Sequence, residues 1–254
     1  MSGDDKARWA LTPGREHFEP LLKNLSESFK GIKDTIYQGR NVLKRLAWGQ
    51  GRIIIKSFAH PNILNRYIYR WARKSKASRA YENAIELTKL NIITPLPVGY
   101  IEYRRENYLA QSFYVYEEWS ADSTIREVIT DSQFPNRAEI LASLGKFAWK
   151  LHSKSVNFKD FSPGNILIKY SEPAEFCLVD INRIKFEPLS LRKRMQTFAR
   201  LWLDDPDLLF IIAGYVKASG DSESQSLRLA LYYSRQHKRQ SLRKERLKAF
   251  LGLH

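Results

Sequence analysis

Residues 158–165 read Phe-Lys-Asp-Phe-Ser-Pro-Gly-Asn, and residues 166–168 continue as Ile-Leu-Ile. Asp160 stands five positions before Asn165, with Pro163 and Gly164 between them and an apolar strand behind them. A short loop at a strand entrance can point a carboxylate at an acceptor hydroxyl and turn an amide back towards phosphates. Taken alone, the pair also reads as ordinary turn chemistry, because Pro-Gly closes turns in many settings. What decides between the two is whether other parts of the chain supply the remaining charges.

Three further positions could do so. Lys56 lies near the end of Arg-Ile-Ile-Ile-Lys-Ser-Phe, residues 52–58, a β-branched strand. It is either a solvated strand end or a lysine that reaches phosphates. Glu82 falls on a helical stretch, just ahead of the apolar stripe Ala84, Ile85, Leu87 and Leu90, with Glu86 one turn on as the second choice. Each reads equally as a solvated helix glutamate. Asp180 closes Phe-Cys-Leu-Val-Asp, residues 176–180, as a strand-end turn acid or a metal ligand.

The elements that must position these groups follow from periodicity. Residues 18–29 carry Phe18, Leu21, Leu22, Leu25 and Phe29 at helical spacing. Residues 36–37, 42–43 and 46–48 look like strands, and Gly49-Gln50-Gly51 is a hairpin turn leading into the strand of Lys56. Residues 62–90 predict a long helix with a break near Ser75, and residues 98–103 and 112–116 predict a hairpin. Residues 138–152 form an apolar-rich helix that delivers the chain to the Asp160 loop. Residues 192–202 are helical, and residues 227–251 are a strongly basic helical tail.

Composition bounds the function. The 254 residues are 43% hydrophobic, enough for a sizeable core. Lys and Arg number 42 against 27 acids, a net charge of +15 that predicts anionic partners. The run Arg66, Arg70, Arg73, Lys74, Lys76 and Arg79 contains no acid and is either a solvated face or an anion-facing one. Cys177 is the only cysteine, which excludes an intrachain disulfide and a multi-cysteine metal site. Residues 1–15 lack the apolar core of a signal peptide, and the apolar run 208–216 is too short to span a bilayer. The expectation is a chain that is soluble or peripheral on the cytoplasmic side.

The ordered set Lys56, Glu82, Asp160, Asn165 and Asp180 resembles that of protein kinases. The fold class this implies is α+β: a two-lobed protein-kinase-like fold with a small β-rich N-lobe and a helical C-lobe. Residues 1–116 would hold an N-terminal extension and the nucleotide-binding lobe, and residues 117–254 the lobe with the catalytic loop and basic helices. More specifically, the chain resembles the lipopolysaccharide kinase family, which phosphorylates heptose or Kdo sugars of the inner core. The resembling segments are residues 53–58, 75–97, 159–168 and 176–180, with Asp-Phe-Ser-Pro-Gly-Asn-Ile-Leu the most specific.

The resemblance implies roles. Asp160 orients the acceptor hydroxyl and takes its proton. Asn165 and Asp180 hold Mg²⁺ against the phosphates of ATP. Lys56, fixed by Glu82, neutralises phosphate charge, and Gly39 is the best-placed glycine for a phosphate loop. The backbone near Glu117, Glu118 and Trp119 receives the adenine. The departures are Phe158 and Lys159 for the usual His-Arg, Ile181-Asn182 for Phe-Gly after Asp180, no Gly-x-Gly-x-x-Gly, and no Ala-Pro-Glu after Asp180. The implied acceptor is a glycolipid at an anionic membrane surface. No nucleic-acid module and no obligate protein partner is evident. Two alternatives stand: a protein or small-molecule kinase with the same catalytic set, and a silent kinase-like binding module.

Overall fold

The computed structural model describes residues 6–59, 74–105 and 108–250. It has a β-sheet N-terminal region and a helical C-terminal part, the α+β class the sequence predicts. Contacts divide the chain into two units, Met1–Ser120 with Asp180–Asn182, and Ala121–Val179 with Arg183–His254.

The first unit is built on a six-stranded antiparallel sheet of β1 (Lys6–Leu11), β2 (Thr35–Gln38), β3 (Val42–Trp48), β4 (Gly51–Ser57), β5 (Pro97–Arg105) and β6 (Tyr108–Glu117). The spatial order is β1-β5-β6-β4-β3-β2. The segments read as separate strands at 42–43 and 46–48 are one strand, and the turn joining it to β4 sits at Gly49 and Gln50, with Gly49 at φ +57°. Strand β1 was not predicted. Its alternating Trp9 and Leu11 face the core, but charged neighbours hide that period-two signal.

Alternation along β4 gives the sheet two uses. Ile53 and Ile55 point into a core with Val98, Ile101, Phe113 and Val115, closed by Phe18, Leu22 and Leu25. Those three come from the predicted helical stretch, which is broken into α1 (Glu19–Lys23), α2 (Leu25–Ser28) and flanking 3₁₀ turns. Ile54 and Lys56 point to the opposite face, which is covered by α3 (Lys76–Lys89) packing on β5 and β6. Ala77, Ala80 and Ala84 are buried in α3, and such small side chains let it lie close to the sheet. Ser75 caps the helix by accepting the Ser78 N–H at 3.0 Å, which places the start of α3 at the predicted break. The expected helix before Ser75, with Arg66, Arg70 and Arg73, lies outside the described residues.

The second unit is organised by α5 (Arg137–Ser153) and α7 (Asp205–Ser219). Two glycines let their backbones meet: a Cβ on Gly145 would stand 1.9 Å from the Ile211 carbonyl oxygen, and one on Gly214 would stand 1.9 Å from that of Ala142. The segment expected to be helical over 192–202 is α6 (Leu191–Thr197) followed by a 3₁₀ turn, Phe198–Leu201. The basic tail is α8 (Glu223–Phe250), packed on α6, α7 and that turn. A short helix, α4 (Ile125–Thr130), follows β7 (Ser123–Thr124). Strands β9 (Ile166–Lys169) and β10 (Glu175–Leu178) pair as a hairpin with β7 at its side. Strands β8 (Val156–Phe158) and β11 (Ile184–Phe186) pair separately. The Asp160 loop therefore leaves β8 and enters β9.

Candidate active site

In the sheet unit the centre is Lys56. Its side chain is buried on the α3 face of β4, where a bare ammonium is costly. Nζ is compensated by Asp180 Oδ1 at 2.6 Å and lies 5.2 Å from the centre of the Phe58 ring. Asn182 Nδ2 donates to the same Oδ1 at 2.7 Å, and Asn83 Nδ2 of α3 donates to the Ile181 carbonyl at 2.7 Å. These bonds hold Asp180 in a left-handed backbone conformation, φ +55°. That conformation costs an L-residue roughly 1–2 kcal/mol, less for Asp than for most. Asn182 and Asn83 were missed by the sequence reading, although Asn182 stands where the kinase pattern has glycine.

A second lysine, Lys76, feels the same acid. Burial is the largest influence holding the Lys76 ammonium below its usual value. The charge of Arg40 comes next, with Arg79 and Lys56 adding to the lowering, while Asp180 opposes it. Lys76 was read only as part of a charge run. The structure places Lys76 in the electrostatic field of Asp180 and of Arg40. Gly39 lies in the turn between β2 and β3, where its N–H donates to the Asn41 carbonyl at 3.1 Å. The Asn41 side-chain oxygen accepts from the Ala59 N–H at 3.2 Å, tying this turn to the end of β4.

The expected Lys56–Glu82 pair is not made. Glu82 accepts from Lys74 Nζ at 2.7 Å and from the Ser78 hydroxyl at 3.2 Å, so each member is already compensated by another partner. Glu86 pairs with Lys89 at 3.3 Å on the solvent side. At the strand end, Arg15 takes Glu117, while Arg45 and Arg52 take Glu118. The Glu117 and Glu118 N–H groups donate to the carbonyls of Leu96 and Arg52, both at 2.9 Å. Trp119 follows in an irregular stretch.

In the helical unit the Asp160 loop explains the five-residue spacing. The Asn165 side-chain amide donates to the Asp160 carbonyl at 3.0 Å, and the Ser162 N–H donates to the same oxygen at 2.7 Å. The Asn165 carbonyl in turn accepts from the Val179 N–H at 3.0 Å, one residue before Asp180. With its Nδ2 used in bracing the loop, Asn165 keeps its side-chain oxygen, a hard donor suited to Mg²⁺, off that bond. Phe158 and Phe161 are buried and meet edge-to-face, and Phe161 meets Phe198 the same way. The loop thus stands on an aromatic base where the kinase pattern has histidine. His152 joins that base, with Nδ1 3.1 Å from the Tyr215 hydroxyl. Burial, helped by Arg194, pushes its imidazole down to about 3, so it is neutral at any working pH.

The Asp160 carboxylate projects from this support. Arg183 Nη1 lies 3.0 Å and Arg200 Nη1 3.6 Å from its Oδ1. Both arginines are about half exposed, whereas the Asp160 side chain is only 16% exposed. Sequence reasoning missed both arginines. Among the described residues no three His, Cys, Asp or Glu side chains gather as metal ligands. Asp180 in the sheet unit and Asn165 in the helical unit each carry a hard oxygen of the kind magnesium takes.

The profile of the lipopolysaccharide kinase (Kdo/WaaP) family matches residues 39–208. No curated protein sequence matches the chain. Among solved structures, "WaaP in complex with acyl carrier protein" is similar with a TM-score of 0.63 at 17% identity. The likeness covers 91% of this chain and 98% of that one, and at such identity it bears on the fold.

Proposed function

The chain belongs to the lipopolysaccharide kinase (Kdo/WaaP) family, and on that premise we propose that it transfers the terminal phosphoryl group of ATP to one hydroxyl of an inner-core sugar. Asp160 accepts the hydroxyl proton as the new oxygen–phosphorus bond forms, and the bond from the γ-phosphorus to the bridging oxygen breaks to release ADP. The observation that carries this reading is the Asp160 loop, in which Asn165 fixes the backbone carbonyl of the acid and leaves its carboxylate projecting.

Lys56, with Arg40 and Lys76 nearby, offsets phosphate charge, and the turn at Gly39 carries Arg40. Asp180 and Asn165 would supply the oxygens for magnesium, which when bound would screen the negative charge that builds on the phosphates. Glu82 acts by holding Lys74, beside the start of α3. The backbone over Glu117, Glu118 and Trp119 receives the adenine.

The glycolipid acceptor brings the enzyme to an anionic membrane surface on the cytoplasmic side. No helix among the described residues is long and apolar enough to cross a membrane. The outer face of α8 carries Arg228, Arg235, Arg239 and Arg243 beside Leu231 and Tyr232, a combination suited to lipid phosphates. The acyl carrier protein in the neighbour's complex makes that protein a partner to try by co-purification.

A glycolipid acceptor is favoured over a peptide because only a short segment separates Asp180 from α6 at Leu191, leaving little chain for a peptide dock. The test offers labelled ATP with inner-core glycolipid and, separately, with a broad set of proteins and peptides. The expected result is label in the glycolipid, abolished by a magnesium chelator. Efficient labelling of peptides with none of the glycolipid would overturn the acceptor assignment.

A further inference from the structure

We propose that Arg183, Arg200 and Trp202 form a binding subsite for the acceptor, and that the acceptor sugar carries an anionic substituent, a carboxylate or a phosphate, next to the hydroxyl that Asp160 serves. This rests on the phosphotransfer reading and names what that site selects.

The first observation is the pair of guanidinium groups at Asp160. One carboxylate oxygen is approached by two arginines, each with further N–H donors. Ion pairs this exposed contribute little to folding. An incoming anion can therefore share these guanidinium groups without disturbing the core. An anion held there sits next to the proposed base, so its sugar presents a neighbouring hydroxyl to that base.

The second observation is independent of the charges. Trp202 lies between Leu201 and Leu203, both buried, yet its own side chain is 45% exposed. Its backbone is left-handed, φ +58°, at the end of the 3₁₀ turn that carries Arg200. A bulky residue in that conformation is a real outlier, and such strain concentrates at functional sites. The turn is pinned rather than loose. Lys238 Nζ donates to the Leu203 carbonyl at 2.7 Å, and the Trp202 ring meets His237 of α8 edge-to-face at 5.6 Å. Besides burial, the charge of Arg200 helps hold the His237 imidazole below its usual value. An exposed indole offers an apolar face to the C–H side of a sugar ring, and the arginines offer forked donors to its acidic group.

The experiment compares three acceptors: the native inner-core glycolipid, the same material with its carboxylates methyl-esterified, and the same material treated with phosphatase. Arg183→Gln and Arg200→Gln are expected to raise KM for the native acceptor about tenfold or more, as for a lost charge-assisted bond. They should change kcat less. One of the two treatments should raise the wild-type KM similarly and erase the difference between wild type and variants, and which one does so identifies the anion. Trp202→Phe should keep most affinity and Trp202→Ala should lose it. A purely structural role would move all three acceptors alike. Unchanged KM values in the arginine variants, or equal losses on charged and neutralised acceptors, overturn the subsite while the kinase reading stands. If the wild-type protein phosphorylates none of the glycolipids, binding of the deacylated core oligosaccharide is measured by calorimetry instead. Binding that depends on Arg183 and Arg200 then keeps the subsite and rejects the kinase reading; its absence rejects both.

Discussion

Asp180 in the sheet unit and Asp160 in the helical unit are the two acids singled out by the sequence, and each unit treats its acid in a different way. Asp180 is locked. A buried lysine and an asparagine hold one of its oxygens, and its backbone is kept in a left-handed turn. Asp160 is presented. Its backbone is braced by Asn165 and Ser162, but its carboxylate meets only half-exposed arginines. Locking suits a charge that stays in one place, such as a ligand to a cation. Presentation suits a group that exchanges partners during turnover. The difference lies in the partners, a buried lysine for Asp180 against half-exposed arginines for Asp160, and not in the exposure of the acids, since the Asp160 side chain is 16% exposed and that of Asp180 35%.

The comparison breaks most decisively at Asp160. Asp160→Asn keeps the shape and removes the base, so transfer to the glycolipid should fall by about 10²–10⁴-fold, with the thermal unfolding midpoint nearly unchanged. A variant retaining most of its transfer rate would remove Asp160 from the chemistry.

The locked acid is sharpened by a pair of double-mutant cycles read from unfolding free energies. Lys56→Met with Asp180→Asn should show coupling of about 1–2 kcal/mol, because each single change strands a buried or half-buried partner. Lys56→Met with Glu82→Gln should be additive to within about 0.5 kcal/mol, since each residue has a different partner. Larger coupling in the second cycle would restore the Lys56–Glu82 pair expected from the sequence.

A further test concerns the floor beneath Asp160. The folded His152 imidazole is held at about 3, below its ordinary 6.5. Below pH 6.5 the unfolded chain binds a proton that the folded chain refuses. Stability from this group is therefore whole above about pH 6.5 and lost as pH falls towards 3, by about 1.4 kcal/mol per pH unit. His152→Gln should flatten that slope between pH 6 and 4 in chemical unfolding, whatever its effect at neutral pH. An unchanged slope would assign the acid sensitivity elsewhere.

Much of this arrangement was legible in the sequence, for identifiable reasons. The strand of Lys56, the break near Ser75, the helix before the loop and the loop itself are local patterns, and local patterns survive folding. The partners of each charge are not local. Lys56 and Asp180 are 124 positions apart, and no periodicity says that Asp180 rather than Glu82 completes the lysine. Arg200 reads only as one residue of the helical segment 192–202, and only the turn after α6 brings it to Asp160. Strand β1 was missed because its pairing with β5, not its own composition, makes it a strand.

The claim that Asp160 serves the acceptor while Asp180 serves the nucleotide is tested most directly by titrating Mg·ATP into wild-type protein, Asp160→Asn and Asp180→Asn. Asp160→Asn is predicted to bind within about twofold of wild type, well inside the effect of losing one charged contact. Asp180→Asn is predicted to lose binding by about tenfold or more. Equal losses in the two variants, or a loss confined to Asp160→Asn, would contradict the division of labour between the two acids.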